Sequence, residues 1–176
     1  KVTMKKKYNV IVAALFVITI IFYVRSAKAD ERACLAEAIY FEARSETFTA
    51  QLAVANVILE RVGDDRYPGT ICQVVHQGRY RRGKPVRHRC MFSYWCDGKP
   101  ETIANIGAYK TAVSIAELSM EGVILDSTEG STHYHASYVR PYWTLTEDFE
   151  RVGQVGNHIF YVDMGDRGVY NSGKKQ

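Results

Sequence analysis

Residues 1–29 contain no Asp or Glu, and the run from Tyr8 to Val24, YNVIVAALFVITIIFYV, contains no charge at all. Asn9 and Thr19 are its only clearly polar residues. A run apolar on every face and flanked by lysines does not read as a core helix of a globular domain. Met4 is followed by Lys5, Lys6 and Lys7, and the run is followed by Arg25-Ser26-Ala27-Lys28-Ala29. A basic start, an apolar centre and a small-x-small site make a secretory signal cleaved after Ala29. Its 17 residues also reach the lower edge of the roughly 17–25 that span a bilayer, so an uncleaved signal anchor is the rival reading. The chain therefore divides into residues 1–29, a signal peptide or signal anchor; residues 30–165, one folded domain; and residues 166–176, a flexible tail.

The lack of acids in the leader also explains the net charge. The whole chain carries a formal +4, but residues 1–29 hold six Lys or Arg, leaving 17 basic against 19 acidic side chains in residues 30–176, a net of −2. The positive total reports membrane orientation and gives no ground for nucleic-acid binding. One local basic run remains. Arg79, Arg81, Arg82, Lys84, Arg87 and Arg89, with His88 among them, have no acid between them. Such a run reads as a solvated loop or as a contact for an anionic polymer.

The chain has no internal repeat and no low-complexity stretch. It also lacks the tight C-x₂₋₄-C pair usual in zinc sites. Its four cysteines, Cys34, Cys72, Cys90 and Cys96, have C-x₅-C as their closest spacing. An even count in an exported domain favours disulfides. Three connectivities are open; Cys90–Cys96 closes a short loop and leaves Cys34–Cys72 as the favoured second pair.

Helical periodicity covers about Glu31–Ala43 and Thr49–Val62, the second closed by Gly63 as a left-handed cap. A turn at Tyr67-Pro68-Gly69 precedes a short helix over Thr70–Gln77, and a third main helix covers Thr102–Met120. Between them, Arg79–Pro100 reads as a long loop rich in basic and aromatic residues, of a length that is usually functional. THYHASYV and HIFYVD read as strands, with Gly153 and Gly156 flanking the loop between them. Helices first and strands afterwards imply an α+β domain, mainly helical, with a small antiparallel sheet in the C-terminal half.

Three carboxylates stand around the first helix: Glu37, Glu42 and Glu46. At roughly 100° per residue, Glu37 and Glu42 are about 140° apart and cannot enter one cleft from a straight helix. Glu42 and Glu46 share a face if the helix continues. Glu42 follows Ile39-Tyr40-Phe41, and apolar surroundings raise a carboxyl pKa towards the range a general acid needs. Phe92, Tyr94, Trp95, Tyr134, Tyr142 and Trp143 suit a sugar cleft, because sugar rings present apolar faces that aromatics cover. They equally suit a satellite core. Gln51 is placed to bond an acetamido group or to lie on a helix surface. His133 and His135 alternate on a strand and share a face, where they line a cleft, serve structure or bind metal.

The run AEAIYFEARSETFTAQLAVANVILERV resembles the opening motif of the spore-cortex-lytic enzymes and related cell-wall hydrolases, the SleB/CwlJ type. YPGTICQVV, CMFSYWCDG, THYHASYVRPYW and GNHIFYV match later segments of that family in order, from Cys34 to about Val162. The resemblance implies a lysozyme-like fold and cleavage of peptidoglycan glycan strands, in some members as lytic transglycosylases. It places the catalytic glutamate on Glu42. With that cleavage, Glu46, Gln51, Phe92, Ser93, Tyr94, His133, Tyr134 and His135 are the candidate substrate-binding residues. Ser45 and Ala50 stand where the family usually has Gly, and Glu60 where it has Asn.

The mechanism so implied needs one carboxyl, no metal and no cofactor. Protonated Glu42 donates to the oxygen between N-acetylmuramic acid and N-acetylglucosamine, and the transition state gains oxocarbenium character. Ionised Glu42 then takes the proton of the muramyl C6 hydroxyl, which closes to a 1,6-anhydro sugar. Attack by water would call for a second carboxylate, with Glu46 nearest and Asp97 more distant. The competing functions are a zinc amidase or peptidase built on His133, His135 and His158, and a non-catalytic wall-binding module. The expected setting is the periplasm or cell wall, for a monomer whose partner is peptidoglycan, tied to the cytoplasmic membrane through residues 8–24 if the leader is retained.

Overall fold

The computed structural model describes residues 2–165; the tail expected over 166–176 lies outside the described residues. Helix α1 spans Val2–Ala43, α2 Phe48–Gly63, α3 Ile71–Val75 and α4 Ile106–Met120. Strands β1 (Gly78–Arg81) and β2 (Lys84–Cys90) form a hairpin, and β3 (His133–Ala136), β4 (Phe149–Val155) and β5 (His158–Asp163) form an antiparallel sheet in the order β3-β5-β4. Short 3-10 turns cover Ser93–Cys96, Asp126–Thr128 and Tyr142–Leu145. The expected mixed, mainly helical architecture is present.

The leader and the first helix of the domain are one unbroken helix. Nothing between Val24 and Glu31 stops it: Arg, Ser, Ala, Lys and Asp include neither Gly nor Pro. The two halves differ in burial. Phe16, Phe22 and Tyr23 are exposed, and the segment Ile11–Ala43 contains a window long and apolar enough to cross a membrane. Leu35, Ala36, Ala38, Ile39, Tyr40 and Ala43 are buried. They pack against α2, whose residues Ala50–Ile58 are all buried, as befits a central helix.

Polar side chains fix the ends of these elements. Thr47 accepts from the Ala50 N–H to start α2, Thr70 from Gln73 to start α3, and Asn105 from Ala108 to start α4. The Asn105 cap explains why α4 begins later than the apolar pattern suggests. The Asn105 N–H also donates to the buried Tyr40 hydroxyl at 3.0 Å, which ties α4 to α1. Buried Asn56 on α2 donates to the Val123 carbonyl and accepts from the Leu125 N–H, both at 3.0 Å, bracing the exit from α4.

Three expectations are corrected. Gly63 has no left-handed φ: it is the last residue of α2, and Asp64 is the cap. The stretch Arg79–Pro100 is not one loop, because Arg82 (φ 52°) and Gly83 (φ 75°) turn it into the β1–β2 hairpin. Between the two expected C-terminal strands stands a third, β4, joined to β5 through Gly156 at φ 57°. A side chain at Gly156 would meet a Glu46 oxygen at 2.6 Å and the Ala50 methyl at 2.9 Å, so this turn requires glycine sterically as well.

Cys34 is bonded to Cys72 and Cys90 to Cys96, the pairs the spacing favours. The first clamps α1 to α3 across a separation of 38 residues. The Glu31 carboxylate accepts the Ile71 and Cys72 N–H groups at the start of α3, fixing the same contact. Replacing Cys34 and Cys72 together by Ala should cost about 3–4 kcal/mol of stability. Urea unfolding checks it: the midpoint should fall, and the slope should rise as the unfolded chain loses its cross-link.

Candidate active site

Helix α1 ends at Ala43, so Glu42 stands in its last turn. Phe41, beside it, stacks on Tyr94 at 4.8 Å between ring centroids, and Tyr40 lies edge-on to Phe41 at 5.0 Å. These rings hold the helix end against the core. Glu42 itself is partly buried. The Tyr134 hydroxyl donates to its Oε2 at 3.4 Å, the Ser93 backbone N–H is directed at the carboxylate, and the Arg61 guanidinium lies near.

Burial dominates the electrostatics. It pushes the Glu42 carboxyl above its ordinary value, while Tyr134, the Ser93 N–H and Arg61 pull the other way. The result suits a proton donor that must keep its proton above the usual carboxylate range. Ionisation is then stabilised by three groups already in place.

Arg61 was not among the residues read from the sequence. It is 4% exposed, donates Nε–H to the Thr132 carbonyl at 2.7 Å, and lies over the rings of Tyr67 and Phe92 at 5.4 Å each. Burial lowers its pKa, and Tyr67, Tyr134 and Glu42 oppose that. The signal in the sequence is its position: it continues the buried series Val54, Val57, Ile58 at helical spacing, where a cation is out of place unless it is paired.

Of the expected substrate-binding residues, Ser93 and Tyr134 meet at Glu42. The others take different positions. Phe92 and Tyr94 are 3% and 7% exposed and belong to the main core, so neither ring offers a face to a sugar. They form the wall beneath the acid. Glu46 does not continue a helical face with Glu42, because α1 has ended. Its oxygens accept from the Asn157 side chain at 2.9 Å and backbone at 3.2 Å, which lowers its pKa and holds the turn to the β4–β5 hairpin. Gln51 is buried; it donates to the Glu46 carbonyl at 3.0 Å and leaves Oε1 without a partner among the described residues.

His133 and His135 do share a face, and alternation puts Tyr134 on the other. Their face packs against Trp143, Phe149 and Tyr161. His135 has Nδ1 2.9 Å from the Ala136 carbonyl and Nε2 3.1 Å from the Tyr161 hydroxyl. Burial lowers the His133 pKa to about 4, with Arg61 adding to the effect. These histidines are built into an aromatic layer behind β3, away from the Tyr134 contact with Glu42.

The model of the Cell Wall Hydrolase family matches residues 45–161. The chain belongs to the cell wall hydrolase family. Glu42 lies just before the matched span, and Arg61 and Tyr134 lie within it. Among solved structures, the catalytic domain of the Bacillus cereus SleB protein is 26% identical, with a TM-score of 0.53, over 76% of this chain and 90% of that one. The catalytic domain of the germination-specific lytic transglycosylase SleB from Bacillus anthracis is also 26% identical, with a TM-score of 0.54, over 74% and 93%. No curated protein matches. The protein is thus an enzyme of the cell-wall hydrolase class, and its apolar N-terminal helix fits an exported or membrane-associated setting. The family's usual glycines at positions 45 and 50 are not needed for a left-handed turn, since Arg82 and His88 are the only non-glycine residues with positive φ among those described.

Two effects follow from the setting of Glu42. Its folded pKa is raised, so the stability it contributes is present below the ordinary carboxyl value and is lost as pH rises through the raised one. Glu42→Gln should therefore melt higher than the parent near neutral pH, with the difference fading in acid. Tyr134→Phe removes a donor to the ionised form, so the alkaline limb of wall lysis should move to higher pH in a pH–rate profile. A limb moving to lower pH would contradict the arrangement.

Proposed function

We propose that this enzyme is a lytic transglycosylase. It cleaves peptidoglycan between N-acetylmuramic acid and N-acetylglucosamine and leaves 1,6-anhydromuramyl ends. Glu42 is the single catalytic acid and base. The observation that carries this reading is a partly buried carboxyl, raised in pKa, beside Ser93, Tyr134 and Arg61. The likeness to the Bacillus anthracis SleB catalytic domain, that of a germination-specific lytic transglycosylase, supports it.

Protonated Glu42 donates to the glycosidic oxygen, and the bond to the muramyl C1 breaks as positive charge develops there. The carboxylate left behind is stabilised by the Tyr134 hydroxyl, the Ser93 N–H and Arg61. It then removes the proton from the muramyl C6 hydroxyl, whose oxygen closes on C1. Glu42 ends protonated, ready for the next cycle. The two carboxylates considered for activating water are engaged elsewhere: Glu46 with Asn157, and Asp97 with Lys99. This favours closure by the substrate's own hydroxyl over attack by water.

The domain that does this work is residues 30–165, acting as a monomer in the periplasm or wall, and residues 1–29 direct its export. Where the leader is retained, α1 is both anchor and catalytic support. Glu42 then stands 18 residues beyond Val24, about 27 Å along the helix axis. Where cleavage follows Ala29, the buried half of α1 remains with the domain.

Glu42→Gln should reduce lysis by roughly 10²–10⁴-fold while leaving the fold and glycan binding intact. Mass spectrometry of muropeptides released by the parent should find anhydromuramyl ends. Lysis at the parental rate by Glu42→Gln, or newly freed amino and carboxyl groups in place of anhydro ends, would overturn the assignment.

A further inference from the structure

The β1–β2 hairpin carries charge that the fold does not use. Six Lys or Arg and no acid lie between Arg79 and Arg89. Arg87 donates to the Asp97 carbonyl at 2.9 Å. Arg79, Arg81, Arg82, Lys84 and Arg89 are exposed and make neither an ion pair nor a side-chain hydrogen bond among the described residues. Their mutual repulsion is unrelieved, on a domain whose overall charge is slightly negative.

The arm that displays them is nevertheless firmly built. The Tyr80 hydroxyl donates to the His76 carbonyl at 2.8 Å and accepts from the Trp95 indole N–H at 2.9 Å. His76 stacks on Trp95 at 3.6 Å between centroids. Gly78 passes so close to Cys90 that a Cβ would lie 2.9 Å from its Sγ. Cys90 is in turn bonded to Cys96, at the far end of the Ser93–Cys96 turn. That turn begins with the residue whose N–H faces Glu42. Hairpin and acid thus share one support.

The glycan of peptidoglycan is a chain of neutral N-acetylated sugars, and aromatic or amide groups suffice to bind it. Its negative charges are the carboxylates of the stem peptides carried by the muramyl residues, next to the bond that is cut. We propose that the β1–β2 hairpin binds those carboxylates, so that the enzyme selects peptide-bearing strands over denuded ones. The inference rests on the assignment of glycan cleavage to Glu42 and adds a substrate class to it. Exposed pairs of this kind are individually weak and screened by salt, so selection comes from several acting together.

The test uses the full chain in detergent, with peptide-bearing glycan strands and the same strands stripped of peptide by an amidase. The parent should cleave peptide-bearing strands roughly tenfold more efficiently, through a lower KM, with the preference falling as salt rises. Replacing Arg79, Arg81, Arg82, Lys84 and Arg89 by Gln should bring the preference close to one. Equal cleavage of both strands by the parent, or an undiminished preference in the variant, would overturn the proposal. So would binding that follows teichoic-acid phosphate or anionic lipid vesicles in place of stem peptides. Failure of the parent to cut either strand would instead contradict the role of Glu42.

Discussion

Everything about the site depends on how the last turn of α1 is held. A carboxyl at a free helix end would be solvated and ionised at neutral pH. Here the helix is fixed well before its end by Cys34–Cys72 and by Glu31 at the start of α3. It is fixed again by the Tyr40 hydroxyl on Asn105 and by the Phe41–Tyr94 stack. These contacts leave Glu42 no route away from the core. Burial and three ion-stabilising groups therefore act on it together, and burial is the larger effect.

The balance matters because each side serves a different moment of the reaction. A proton donor needs the raised pKa that desolvation supplies. The carboxylate produced by donation needs partners, or the buried charge would cost several kcal/mol. Tyr134, the Ser93 N–H and Arg61 are those partners, and they come from β3, a 3-10 turn and α2. Each element contributes one group, which explains why a small domain commits buried polar side chains such as Asn56 and Arg61 to bracing rather than to more apolar core.

Much of this was legible in the residues. The helical periods around Glu42, the alternation through His133-Tyr134-His135 and the Glu42 motif are each set by residues a few positions apart, where local rules apply. What escaped was set by contacts distant in sequence. Arg61 looks like an ordinary surface arginine until α2 is known to be central. Phe92 and Tyr94 look like cleft aromatics until the core claims them. The hairpin strands β1 and β2 look like a solvated loop because their side chains are charged and the Arg82-Gly83 turn is the only strong signal. Strand β4, FERVGQV, was hidden by its charges and glycine in the same way. The departure at Ala50 is accommodated by Gly156 across the β4–β5 turn, where a side chain would lie 2.9 Å from the Ala50 methyl.

The account stands most directly on the protonation state of Glu42. Titration of its side-chain carboxyl by carbon-13 NMR in the folded protein measures it without any assay of activity. A midpoint above the ordinary glutamate value of 4.5, moving higher still in Tyr134→Phe, is the predicted result. A midpoint at or below 4.5 would mean that the partners outweigh burial, and that Glu42 is not poised to donate a proton.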